Sequence, residues 1–248
     1  MNIEKNSKKI VYKALFIFIL YIYLKHGPAI CFTLLEKNNP LAYLFYPTGL
    51  LYTSIVKIVD NTSDPVVYLN LIYDSIFIII LVSNYIGILK EKFKDFKTNI
   101  FEFLKKYIKY WLIAIFLMAI SSIMVENITN AAATNEENVR QLIEANPFIL
   151  LIITGLMAPV IEELVYRLTV YNIVGKNKKL FIILSGLLFG GAHVIASATC
   201  INDLLYIIPY SIPGFALAYI YNKSNNIYVP MLFHCIHNTF AFIIQTLL

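Results

Sequence analysis

The chain has 248 residues, 59% of them hydrophobic and 14% charged, with a formal net charge of +5. A soluble domain is about half apolar and about a quarter charged, so this composition excludes an ordinary soluble enzyme and leaves a polytopic membrane protein. The lysine surplus then reads as a topology signal, and no nucleic-acid-reading motif accompanies it.

At the N-terminus, Lys5, Lys8, Lys9 and Lys13 precede the apolar run "ALFIFILYIYL". No small-x-small cleavage site follows, so the run reads as a retained first membrane helix over 14–35 rather than a removed signal. Residues 40–59 are also apolar, but Pro47 and Gly49 interrupt them. That stretch is expected to be re-entrant or interfacial. Spans are predicted at 66–89 and 110–128. Between them, 90–109 carries seven lysines against three acids. Its apolar residues Phe93, Phe96, Ile100, Phe101, Phe103, Leu104, Tyr107 and Ile108 suit an amphipathic helix on the inner leaflet. Four more spans follow, at 147–170, 180–198, 204–221 and 227–247, each long enough to cross at about 1.5 Å per residue.

The expectation is an all-α polytopic bundle of seven spans, with eight as the alternative. Seven put the N-terminus, 90–109, the lysines of 176–179 and Lys223 on the cytoplasmic side, and the acidic 135–138 connection outside. Eight would separate the N-terminal lysines from 90–109, against the positive-inside rule. Residues 1–145 form the N-terminal membrane helices with the cytoplasmic basic segment, and 146–248 form a four-helix core. Cys31, Cys200 and Cys235 are odd in number and scattered without a CxxC pair. They suggest neither a disulfide framework nor a cysteine metal site, and are expected as small buried side chains.

Polar residues appear inside the later spans at four places. The first is "MAPVIEELVYRLTVY", 157–171, with Glu162, Glu163 and Arg167. A charged side chain at mid-bilayer costs roughly 2.5–3.5 kcal/mol on insertion scales, so pairing, protonation or a wet cavity has to offset it. Glu163 and Arg167 are i, i+4 and share a helix face. Glu162 lies about 100° round the helix, on the stripe of Tyr166. One carboxylate is thus neutralised, and the other is left to act as a general base toward water. The plainer reading is a buried ion pair that fixes register, but one arginine does not need two partners.

The second place is His193 in "FGGAH", on a helix whose Gly186 and Gly190 permit close interhelical approach. The third is Asn202 with Asp203, at a membrane edge. The fourth is "HCIHN", where His234 and Asn238 are i, i+4 and suit an oxyanion-stabilising pair, with His237 nearly on the same face. Each of these histidines alone also reads as interhelical polar glue. Other nucleophiles are poorer. No GxSxG elbow exists, Ser185 and Ser211 have no histidine or lysine partner by spacing, and no HExxH is present. Glu162, His193 and His234 remain a conceivable three-ligand metal set.

Together "EELVYR", "FGGAH" and "HCIHN" fit EExxxR, FxxxH and HxxxN in order on successive helices. They resemble the CPBP family, the CAAX proteases and bacteriocin-processing or self-immunity proteins, over about residues 146–245. The resemblance implies an intramembrane endopeptidase of glutamate-dependent type. It assigns water activation to Glu162 and His193, oxyanion stabilisation to His234 and Asn238, and support to Glu163 and Arg167. It implies no obligatory cofactor, although the same residues are able to hold zinc. It implies a membrane-associated peptide or protein substrate within a lipid bilayer, either a prenylated C-terminal peptide or a bacterial peptide precursor. A bacterial cytoplasmic membrane is the expected location, with the N-terminus inside. Two rival readings stand beside it: a non-proteolytic scaffold or immunity protein that retains the site, and an ion or proton pathway.

Overall fold

Asn99 divides what is otherwise one continuous helix. In the computed structural model, α3 runs from Pro65 to Thr129, and Asn99 alone within it leaves helical geometry, at φ −115° and ψ 16°. The rings of Phe96 and Phe103 approach to 6.5 Å, whereas seven residues of straight helix rise about 10.5 Å. Two limbs therefore meet at an elbow. The Asn99 side chain donates to Asp95 Oδ1 at 2.8 Å. Asn226, far along the chain, donates to Lys92 O and Asp95 Oδ2, both at 2.9 Å.

The structure describes residues 2–59, 65–175, 177–195, 197–198 and 200–247, and the described residues are helical without strands. Lys176, one of the lysines expected at the inner surface, lies outside them, as does the side chain of Lys5. The other helices are α1 (Asn2–Glu36), α2 (Ala42–Val59), α4 (Thr134–Ala145), α5 (Pro147–Val174), α6 (Lys178–Ile195), α7 (Ile207–Ser224) and α8 (Tyr228–Leu247). A 3₁₀ turn, Ile201–Tyr206, leads into α7.

The packing gives the directions. Val67 shares a cluster with Ile153, and the Tyr85 hydroxyl lies 2.8 Å from Thr169 Oγ1. The first limb of α3 thus runs parallel to α5. Tyr171 meets Tyr221, so α5 also runs parallel to α7. Tyr110 meets Tyr219 and Val125 clusters with Tyr206, so the second limb runs antiparallel to α7. The limbs are therefore opposed, as expected for separate spans at 66–89 and 110–128. The basic stretch between them is the elbow itself. Phe96, Phe103, Leu104 and Tyr107 turn inward toward Leu217, Ile220, Val229 and Phe233, while Lys94, Lys97, Lys105 and Lys106 stay exposed.

Five stretches are long and apolar enough to cross a membrane: 8–28, 67–129, 147–174, 178–195 and 201–224. The 67–129 stretch contains both limbs. Two expectations are corrected. Residues 40–59 are not broken at Pro47, which sits inside α2. Hydroxyls bond to carbonyls nearby: Tyr23 donates to Leu44 O at 3.1 Å and Thr48 to Phe45 O at 2.6 Å. Cys200 is exposed rather than buried, its thiol donating to Asp203 Oδ1 at 3.4 Å, while Cys31 is buried.

The α6–α7 contact positions the site. A Cβ on Gly190 would stand 2.7 Å from the Ser211 nitrogen and 2.9 Å from Ile207 O. One on Gly214 would stand 2.9 Å from Gly186 O. Only missing side chains let the two backbones meet this closely.

Candidate active site

Two π-helical turns, Ile153–Met157 and Glu163–Thr169, interrupt α5 on either side of Glu162. Such turns recur at functional sites, because an extra residue per turn redirects the side chains that follow. The Thr169 hydroxyl donates to Leu164 O at 2.8 Å inside the second turn. The i, i+4 pairing expected of Glu163 and Arg167 survives this change of pitch. Arg167 Nε donates to Glu163 Oε2 at 2.9 Å, and both residues are 0% exposed.

The pair is embedded in a chain of partners. Arg167 Nη1 donates to Ser185 Oγ at 2.9 Å, and Ser185 Oγ donates to Tyr166 O at 2.7 Å. The guanidinium also stands 4.9 Å over the Phe189 ring. Ser185 is thus a bracket between α5 and α6. The other carboxylate oxygen, Glu163 Oε1, accepts from His234 Nδ1 at 2.9 Å. Both oxygens of Glu163 are taken, one by a neighbour four residues away and one by α8.

Glu162 faces elsewhere. Its Oε2 lies 3.6 Å from His234 Nε2 and 3.9 Å from His193 Nε2, and among the described residues it makes no hydrogen bond. The opposite edge of each imidazole is committed. His193 Nδ1 lies 2.9 Å from Phe189 O, which can only accept. His234 Nδ1 meets a carboxylate. Each Nδ1 therefore carries a proton, and in the neutral ring each Nε2 presents a lone pair. Three acceptors converge: two imidazole nitrogens and one carboxylate oxygen. The separations exceed a direct hydrogen bond and suit contacts relayed through water.

These groups line a cavity of about 450 Å³ together with His237 and Asn238. Asn238 Nδ2 donates to Thr154 O, in the first π turn, at 2.9 Å. Glu162, His193, His234 and Asn238 are thus brought to one cavity, with Glu163 and Arg167 behind them. Asn202 and Asp203 are not among its walls. Asp203 Oδ2 instead accepts from the Cys200 backbone at 3.1 Å, capping the 3₁₀ turn. Glu162, His193 and His234 have the donor chemistry of a zinc site. Their facing atoms stand 3.6 Å (Glu162 Oε2 to His234 Nε2) and 3.9 Å (Glu162 Oε2 to His193 Nε2) apart.

The sequence reading missed contributions from outside the three motifs. Tyr21, Lys25 and His26 of α1 also line the cavity. Lys25 Nζ pairs with the buried Asp74 of α3 at 3.3 Å, and the Tyr166 hydroxyl donates to that of Tyr21 at 3.4 Å. A charged residue in each of two apolar stretches was the available signal for Lys25 and Asp74. Tyr210 of α7, which stacks on His193 with ring centroids 5.3 Å apart and planes 18° apart, carried none.

Comparison with known proteins agrees with the motifs. Residues 144–240 match the family model described as Type II CAAX prenyl endopeptidase Rce1-like. The chain is 26% identical over 113 residues to YdiL of Bacillus subtilis strain 168, whose name marks it as a candidate membrane peptidase. That alignment covers 45% of this chain and 43% of YdiL. The UPF0177 protein YvdC of Lactococcus lactis is 28% identical over 180 residues, 71% of this chain and 66% of that protein. A second UPF0177 protein of that organism, YxdF, is 30% identical over 89 residues, 36% of this chain and 46% of its own length. The chain thus spans between 43% and 66% of the relatives it matches. No solved structure matches it. The resemblance drawn from EExxxR, FxxxH and HxxxN is borne out.

Proposed function

We propose that the chain is an intramembrane endopeptidase that hydrolyses a peptide bond of a membrane-associated peptide or protein, with water activated by Glu162 and His193. The observation that carries this reading is the convergence of Glu162 Oε2 with His193 Nε2 and His234 Nε2 on one cavity wall. A water molecule donating one proton to Glu162 and the other to His193 Nε2 satisfies acceptors that meet no donor among the described residues. The same contact raises the nucleophilicity of its oxygen.

The water oxygen attacks the substrate carbonyl carbon while Glu162 takes the proton. The carbonyl π electrons pass to oxygen, and the tetrahedral oxyanion is met by Asn238 and by His234, whose Nε2 takes a proton from solvent before donating it to the oxygen. His234 needs that second proton because its Nδ1 hydrogen is held by Glu163. Each such donor is typically worth about 3–4 kcal/mol in the barrier. Collapse breaks the C–N bond, and Glu162 returns its proton to the leaving amine. Arg167 and Ser185 hold Glu163, and Glu163 orients His234, so these act on the reaction through the imidazole. The sequence topology, N-terminus and elbow on the cytoplasmic side of a bacterial membrane, is part of this proposal.

The test is cleavage of membrane-tethered reporter peptides by protein reconstituted in lipid nanodiscs. Wild-type protein is expected to release product and Glu162→Gln protein to release almost none. Equal turnover by the two would refute the mechanism.

A further inference from the structure

We propose that Tyr210 is a positioning residue for His193, its ring serving as the platform that fixes the plane of the imidazole. The inference rests on the reading of His193 as part of the active site. Tyr210 belongs to none of the three motifs.

Among the described residues, the imidazole of His193 is hydrogen-bonded at one edge, by the Nδ1 contact to Phe189 O at 2.9 Å. One hydrogen bond leaves the ring free to tilt about it, and tilting swings Nε2 away from Glu162. Tyr210 removes that freedom. Its ring lies 5.3 Å from the imidazole centroid at 18°, an offset stack of the favoured kind. The Phe189 ring, 4.5 Å away at 38°, is a second contact, but a tilted one.

Tyr210 is itself anchored. It is buried with Val125, Ala133, Val194 and Tyr206. Its hydroxyl donates to Glu136 Oε1 of α4 at 3.4 Å. One turn earlier, the Tyr206 hydroxyl donates to Ala131 O at 2.6 Å. The glycine-mediated approach of α6 and α7 sets the spacing: Gly190 lies against Ile207 and Ser211, so one turn on, His193 meets Tyr210 face to face. A bulkier residue at Gly190 would push the platform away.

The chain has four histidines, His26, His193, His234 and His237, so selective isotope labelling yields a resolvable set of ring signals. The His193 signals are identified by their loss in His193→Gln protein. In Tyr210→Leu protein, which keeps much of the volume but has no π face, the His193 ring protons are expected to move downfield as ring-current shielding is lost. Tyr210→Phe protein should leave them in place. In the cleavage assay, kcat of Tyr210→Leu is expected to fall roughly tenfold to hundredfold with KM moving less than about twofold, as for a misoriented catalytic group. Tyr210→Phe should restore kcat. An unmoved His193 signal in Tyr210→Leu, or an equal shift in Tyr210→Phe, overturns the proposal. So does wild-type kcat in Tyr210→Leu protein. If His193→Gln itself cleaves at the wild-type rate, the functional reading fails instead, and the ring shifts still decide the stacking. Thermal unfolding in detergent separates both outcomes from loss of fold.

Discussion

His234 Nδ1 and Glu163 Oε1 lie 2.9 Å apart across 71 residues of chain, and this contact separates the roles of two adjacent glutamates. Glu163 is enclosed between Arg167 and His234. Glu162, one residue earlier, keeps an oxygen that accepts no hydrogen bond among the described residues.

Substitutions at the two glutamates should therefore have opposite signatures. Glu162→Gln is expected to lower turnover by about 10²–10⁴-fold, the usual contribution of a general base, with an unfolding midpoint near wild type. Glu163→Leu leaves Arg167 a buried cation without its counter-charge. Breaking such a pair costs about 3–5 kcal/mol, so its midpoint in thermal or chemical unfolding should drop clearly.

Arginine's geometry matters at position 167. Nε reaches Glu163 while Nη1 reaches Ser185. A lysine has one ammonium and cannot span both partners. Arg167→Lys is expected to destabilise by about 1–3 kcal/mol, the penalty of an unmade buried hydrogen bond, and unfolding in detergent measures it.

Gly190→Ala places a methyl group 2.7 Å from a backbone nitrogen of α7, where no flexible side chain can yield. Overpacking of this kind costs about 1–3 kcal/mol. Because the same helix pair aligns Tyr210 with His193, kcat should fall along with the unfolding midpoint. Gly87, with open space where its Cβ would stand, is the control. Gly87→Ala should change neither.

The elbow offers a prediction remote from the site. Asn226 is fully buried and serves Lys92 O and Asp95 Oδ2. Asn226→Ala removes both donors and should cost about 1–3 kcal/mol. It is expected to loosen the elbow first, read as faster amide hydrogen exchange over residues 92–103.

Metal dependence is directly measurable. With water activated by Glu162, purified protein is expected to retain turnover after chelator treatment and to hold zinc well below one per chain. Stoichiometric zinc whose removal abolishes turnover, restored on adding it back, would replace this account with a metal-bound hydroxide.

Much of the fold was legible because burying apolar helices in lipid leaves few alternatives. The limbs at 66–89 and 110–128 and the lysine-rich amphipathic helix between them follow from hydropathy and charge. The break at Asn99 does not, because it depends on Asp95 being shared with Asn226, 131 residues away. Continuity through Pro47 was equally hidden, since proline by itself reads as a helix breaker.

At the site, the Glu163–Arg167 pair could be read directly, since both residues lie within one helical turn. Lys25 and Asp74 were visible as charges in apolar stretches, but spacing does not relate positions 49 apart. Tyr210 is one of 18 tyrosines, and nothing local distinguishes it. By itself the sequence determined the helical bundle, the local pairing of charges and the three motifs, because these follow from composition and from contacts within a turn or two. Only the tertiary structure decided that His234 takes Glu163's second oxygen, that Glu162 is left facing two imidazoles, and that Tyr210 lies on His193. Those relations come from how closely whole helices approach. That is set by glycines, ring contacts and buried hydrogen bonds acting together across distant parts of the chain.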